Sequence, residues 1–178
     1  MPVWTASSLP YLTPRQEGQV DPWAQEAAES GHAGTQKIRE VMTTVPPARV
    51  AAALRLPEGA RAVVRRRTML VDGRPVELTD SWYPTGIAAG TALAEPGKIK
   101  GGAVTLLAGL GYTVHEAREE IEVRAATPEE AAELALPADA PVILLRRTCL
   151  TAEDVPFEAS EMVMVPEGRR LRYRLTAG

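Results

Sequence analysis

Apolar and polar residues alternate with a period of two through most of this chain, the pattern of strands with two unlike faces. It is clearest in two stretches that each turn back on themselves. The first runs from Arg61 to Val71, turns at Asp72-Gly73 and returns over Pro75–Tyr83. Asp-Gly between two alternating runs is a hairpin signal, because both turn residues must adopt positive φ. The second pairs Pro141–Leu150 with Val155–Val165. Further strands are predicted at Thr35–Val45, Thr113–Arg124 and, as a last edge strand, Arg170–Leu175. Helical spacing appears at Ala48–Leu54 behind Pro46-Pro47, and at Ala103–Leu110, where Gly109 or Gly111 can end the helix. Thr127-Pro128-Glu129-Glu130 is a helix start with a Thr cap, Pro at the first position and Glu three after the cap, running to about Ala135. Thr85–Lys100 reads as short helical turns. Residues 1–34, rich in Pro, Gly, Ser and Gln, read as an arm with one short helix at Trp23–Ser30, ahead of a folded unit spanning 35–178.

The two hairpins are copies. A shift of 80 residues lays AALRLPEGARAVVRRRTML (52–70) over AELALPADAPVILLRRTCL (132–150). Leu54, Leu56, Pro57, Arg66, Arg67 and Thr68 recur as Leu134, Leu136, Pro137, Arg146, Arg147 and Thr148. With one extra residue in the second turn, Pro75-Val76-Glu77 matches Pro156-Phe157-Glu158. A unit of one helix and one hairpin cannot bury its own apolar face. Two units in one antiparallel sheet, with helices packed on it, share a core. The fold class is therefore α+β.

The composition narrows the function. A chain of 178 residues is one ordinary domain, and a formal charge of −3 gives no general pull toward nucleic acid or an anionic membrane. The single cysteine, Cys149, points to a reducing compartment and a cytoplasmic location, and no apolar run approaches the roughly 20 residues of a membrane span. Two isolated histidines and one cysteine do not make a usual zinc site, and no nucleophile motif or phosphate loop is present. No metal, cofactor or catalytic residue is expected.

The repeat, the DG-x-P turn and the closing Tyr83-Pro84 together resemble the UTRA domain, the effector-binding half of HutC-type regulators in the GntR superfamily, which shares the chorismate lyase fold. The carriers are AVVRRRTMLVDGRPVELTDSWYP, KIKGGAVTLLAGLGY, EEIEVRAATPEEAAELAL and APVILLRRT followed by VPFEASE. The resemblance implies a pocket on one face of the sheet, a small-molecule effector and a homodimer. Arg67 stands at the usual ligand arginine, eight residues before Pro75. Met69 stands where a second arginine is common, and Thr79 where a Glu often lies five before the closing Pro; both point to a larger or less charged ligand. Glu161, five before Pro166, keeps the corresponding acid in the second repeat. The winged helix of a full regulator does not fit in the roughly 34 preceding residues, so this chain alone is expected not to bind DNA. The alternative reading is a free-standing binding protein or a chorismate lyase-like enzyme.

The residues themselves point to the same candidates. Arg65 and Arg67 share one face of their strand, and Arg66 with Thr68 the other. A guanidinium grips carboxylate or phosphate, though an outer face with salt bridges to Glu77 or Asp80 is the competing reading. For Arg146 and Arg147 that solvated reading is preferred. Thr79, Ser81 and Tyr83 share a face suited to orienting a ligand, whereas Trp82 points to the core. Gly101 and Gly102 precede a helix and offer bare amides to an anion, or a flexible joint. His115 reads as structural, the acidic run Glu116, Glu119, Glu120, Glu122 as an exposed strand face, and RRLRYR (169–174) as solvated.

Overall fold

The computed structural model describes residues 4–174. Along the chain these form β1 (Trp4–Ala6), α1 (Leu9–Leu12), α2 (Pro22–Glu29), β2 (Gly34–Thr44), α3 (Ala48–Ala53), β3 (Ala62–Val71), β4 (Arg74–Pro84), α4 (Thr85–Ala88), α5 (Gly102–Gly109), β5 (Glu116–Ala125), α6 (Pro128–Glu133), β6 (Pro141–Leu150), β7 (Pro156–Met164) and β8 (Arg169–Leu171). Six strands make one antiparallel sheet in the order β2-β3-β4-β7-β6-β5. The expected final edge strand is β8, but it lies outside that sheet and pairs in parallel with β1; Leu175 falls outside the described residues.

Local chemistry sets the hairpins and helix starts. Asp72 (φ 50°) and Gly73 (φ 78°) are both left-handed, as a two-residue primed turn requires. The Asp72 carboxylate also accepts from the Ala33 amide and meets His32 Nδ1 at 2.7 Å. At α6 the full capping box forms: Thr127 accepts from the Glu130 amide, and Glu130 accepts from the Thr127 amide.

The repeat emerges as a local two-fold. β4 pairs with β7 so that Asp80 faces Glu161, and these are the residues that the repeat makes equivalent. The axis passes between them. On one side of the sheet α3 and α6 pack equivalently, Val50 and Leu54 against Val64 and Trp82, and Ala131 and Leu134 against Val142 and Leu144. The ion pairs on this face also match: Arg66 Nε lies 3.4 Å from Asp80 Oδ2, and Arg146 Nε 3.4 Å from Glu161 Oε1.

The opposite face is covered asymmetrically. Toward one end, Leu93 and Leu107 of the α4–α5 region bury Val63, Tyr83 and Phe157. Toward the other lies the N-terminal segment. Asp21 caps α2 through the amides of Trp23 and Ala24, and Trp23 inserts beside Met69, Val71 and Val76, donating from its indole to the Leu70 carbonyl at 3.0 Å. Gly34 makes this seating possible. A Cβ there would stand 2.7 Å from the Trp23 carbonyl oxygen and 2.8 Å from the Ala27 Cβ. Gly34→Ala is expected to cost about 1–3 kcal/mol through overpacking, read from the urea unfolding midpoint. An unchanged midpoint would mean that α2 does not sit on β2.

Candidate functional site

Between the sheet and the N-terminal segment lies a cavity of about 130 Å³. One water takes up roughly 10–15 Å³ on this scale, so the space suits a small molecule of about ten heavy atoms. Its floor comes from the odd-numbered positions of β3 and β4 and from their counterparts on β6 and β7. Its roof comes from Ser7, Ser8, Tyr11, Trp23 and Glu26, with β8 and the start of α5 at the margins.

Arg67, Thr79, Ser81 and Tyr83 all line this cavity, as do Gly101 and Gly102 at the mouth of α5. Two expected residues lie elsewhere. Arg65 does share the Arg67 face, but its guanidinium donates to the carbonyls of Ala92, Leu93, Glu95 and Gly97 at 2.6–3.1 Å, pinning that loop to the sheet. It borders a neighbouring space of about 340 Å³ that also reaches Arg67, Tyr83 and Gln36. Glu161 points to the α3 face, where Arg49 and Arg146 hold it. The reason is alternation: in the sheet Glu161 corresponds to Asp80, not to Thr79, and a one-residue offset exchanges faces. The Gly102 amide is already donated to the Ile99 carbonyl at 2.9 Å, which leaves less of the anion cradle expected there.

The cavity also holds residues that the sequence reading passed over. Arg147 was read as solvated, yet it is buried on the floor, paired with Glu119 at 2.6 Å and donating to Ser8 Oγ at 2.9 Å. Glu119 is thereby drawn out of the exposed acidic face. Arg169 was likewise read as solvated. Its side chain is 1% exposed, 2.8 Å from Glu77 Oε2, with its guanidinium 5.7 Å over the Trp23 ring. Glu77, Glu158 and Ser160 complete the floor. The repeat carries a signal for three of these, since Arg147, Glu158 and Ser160 are the counterparts of Arg67, Glu77 and Thr79. Nothing in the sequence marks Tyr11, Trp23 or Glu26 as roof.

The floor is wired in two matching bonds. Thr79 donates to Glu77 Oε1 at 2.9 Å, and Ser160 to Glu158 Oε1 at 3.0 Å. Ser81 and Ser160 hydroxyls lie 3.0 Å apart across the β4–β7 seam, and Arg67 Nη2 donates to Ser81 Oγ at 3.2 Å. Among the described residues, Arg67 otherwise reaches only Gln36 Oε1, at 3.4 Å, and its buried Nε has no partner. Its contacts are therefore long and neutral. Burial pushes the Tyr83 phenol far above its ordinary range, with the Glu158 charge adding to the rise, so it stays protonated.

In the roof, burial pushes the Glu26 carboxyl up to about 7, with Arg169 pulling the other way and Glu77 reinforcing the rise; Tyr11 donates to its Oε2 at 3.2 Å. The folded protein thus holds this proton more tightly than the unfolded chain, and stability is lost as pH rises from about 4.5 to about 7. Glu26→Gln removes that loss. Its melting temperature relative to the parent is expected to climb through this window and level off above it. A constant difference across the window would place the carboxyl in water.

Among the described residues, no three His, Cys, Asp or Glu side chains are grouped to hold a metal ion, and no helix is long and apolar enough to cross a membrane.

Known proteins share this architecture. The UTRA domain profile matches residues 29–168. An HTH-type transcriptional regulator of Streptomyces coelicolor is 33% identical over 127 residues, covering 70% of this chain and 46% of its own length, so the chain spans about half of that relative. The ligand-binding domain of a GntR-family regulator from Bordetella bronchiseptica superposes with a TM-score of 0.70 at 24% identity, covering 93% of this chain and 95% of that one. PhnF from Mycobacterium smegmatis gives 0.80 at 17% identity, covering 100% and 74%. These structural likenesses establish the fold, and with the profile match they identify the chain as a member of the UTRA domain family.

Proposed function

We propose that this chain is the effector-binding and dimerisation part of a cytoplasmic GntR/HutC-type transcriptional regulator, with residues 35–178 as the ligand-binding unit and residues 1–34 as an arm that contributes the roof of its cavity. The effector is a small molecule held in the cavity, with an anionic group against Arg67. One observation carries this reading: Arg67 is half-buried at the cavity, beside the sheet seam, with only long contacts to neutral groups. A guanidinium so placed gains most from a carboxylate or phosphate, through paired charge-assisted bonds. The regulator assignment rests on the UTRA family and on the relatives described above.

A homodimer matches a regulator that reads a palindromic site. The outer edge strand β5, with Ile121 45% and Val123 68% exposed, offers a surface for the second copy. The chain alone, at −3, is proposed not to hold a specific DNA site at physiological salt.

Native mass spectrometry of the chain purified from a bacterial host tests the proposal. The expected result is a dimer carrying a non-covalent small anion. A ligand-free monomer under all conditions would count against it, and steady turnover of the bound molecule would move the reading to an enzyme on the same fold.

A further inference from the structure

The charged floor of the cavity is a symmetric set whose symmetry has been broken by its neighbours. The repeat places one arginine and one glutamate from each half on the same face: Arg67 with Glu77, and Arg147 with Glu158. Groups outside the repeat then neutralise one member of each half. Arg169 pairs with Glu77 at 2.8 Å, and Glu119 pairs with Arg147 at 2.6 Å. The remaining two are opposite in sign. Among the described residues, neither Arg67 nor Glu158 has an oppositely charged side chain within ion-pair distance; Arg67 reaches only Gln36 and Ser81, and Glu158 only Ser160.

Each hydroxyl between them has one proton to give. Ser160 gives its proton to Glu158, Arg67 donates to Ser81, and Ser81 gives its own proton to Ser160 or to Tyr83. Both serine protons between the cation and the anion are therefore committed. Other polar side chains around the space are partnered too: Thr79 donates to Glu77, Tyr11 donates to Glu26, and Ser8 accepts from Arg147. A ligand rich in hydroxyls would have to break these bonds. The two charged ends keep spare capacity, and the wall beside them is apolar, formed by Met69, Leu145, Met162, Met164 and Trp23.

We propose that the effector is a small zwitterion with an apolar body, its anionic group on Arg67 and its amine on Glu158. This rests on the effector-binding reading above and deepens it. A half-buried carboxylate gains from a cation in the way that Arg67 gains from an anion, and a ligand carrying both charges leaves neither end unpaired.

Isothermal titration of the 178-residue chain tests this. The probes are L-phenylalanine, L-methionine and 6-aminohexanoate, each with its N-acetyl and its amide derivative, plus glucose 6-phosphate as a hydroxyl-rich anion. At least one zwitterion is expected to bind, and either capping is expected to weaken it by about tenfold or more. Glu158→Gln keeps the shape and the bond from Ser160; it should weaken the zwitterion by about tenfold while leaving the N-acetyl form within about threefold. Arg67→Ala should weaken both. An N-acetyl form binding as well as its parent, or glucose 6-phosphate binding where no zwitterion does, overturns the inference and leaves the Arg67-anchored site standing. Failure of every zwitterion to bind also overturns it. Binding that is indifferent to Arg67→Ala removes the underlying reading as well.

Discussion

Arg67→Ala is expected to weaken binding of the native effector by roughly 30-fold to several thousand-fold, which corresponds to about 2–5 kcal/mol. The loss is large because the ligand anion would be left in a partly closed space without its counter-charge. The ligand-free protein should change little. Arg67 has no ion pair to lose among the described residues, and truncation gives up only its contacts to Gln36 Oε1 and Ser81 Oγ, at 3.4 and 3.2 Å. Arg67→Lys should restore part of the affinity, because a point charge attracts the anion but cannot reproduce the two-pronged fork. Titration calorimetry and thermal melting of the same samples separate the two effects. Unchanged affinity in Arg67→Ala would remove this residue from the site.

The largest effect on stability is expected at Glu77 and Arg169. Their side chains are 8% and 1% exposed and 2.8 Å apart, with Arg169 stacked over Trp23 and Thr79 donating to Glu77. Removing Arg169 strands the Glu77 charge away from water, at a cost of about 3–5 kcal/mol. Arg169→Met should lower the urea unfolding free energy by that order, and Glu77→Leu should lower it too. The double variant should recover most of the loss, since two apolar side chains of similar bulk need no counter-charge. Additive losses in the double variant would show that the two residues act independently.

The parts of the fold that were legible in the sequence are those whose causes are local. The Asp72-Gly73 turn, the capping box at Thr127 and the alternation through β3, β4, β6 and β7 depend on neighbouring residues, and the structure has them where the pattern put them. The repeat also announced a shared sheet. What escaped depends on distant partners. β1 and α1 are three and four residues long, too short to carry a period, and they are held by Arg169–Leu171 and by the rest of the roof. Arg169 sits in a basic run that reads as solvated, and its burial is made tolerable by distant partners such as Glu77 and Trp23, about 90 and 150 residues earlier. Glu161 was assigned by counting back from a proline. Arg147 could have been found by carrying Arg67 through the repeat, but the competing surface reading was preferred.

The seam between the halves has a consequence for how the molecule is made. β3 joins β4, and β6 joins β7, through turns of a few residues, whereas β4 and β7 pair residues about 80 positions apart in the chain. Each hairpin can zip from its own turn, but the seam must close a long loop before any contact repays the entropy. Late closure of the seam would give low φ-values to the β4–β7 contacts and higher ones to the hairpins. Ser81 and Ser160 meet across that seam, so the ligand chamber cannot exist before the seam has closed. A molecule that binds there favours the closed seam over every half-assembled state, and should slow unfolding more than it speeds folding.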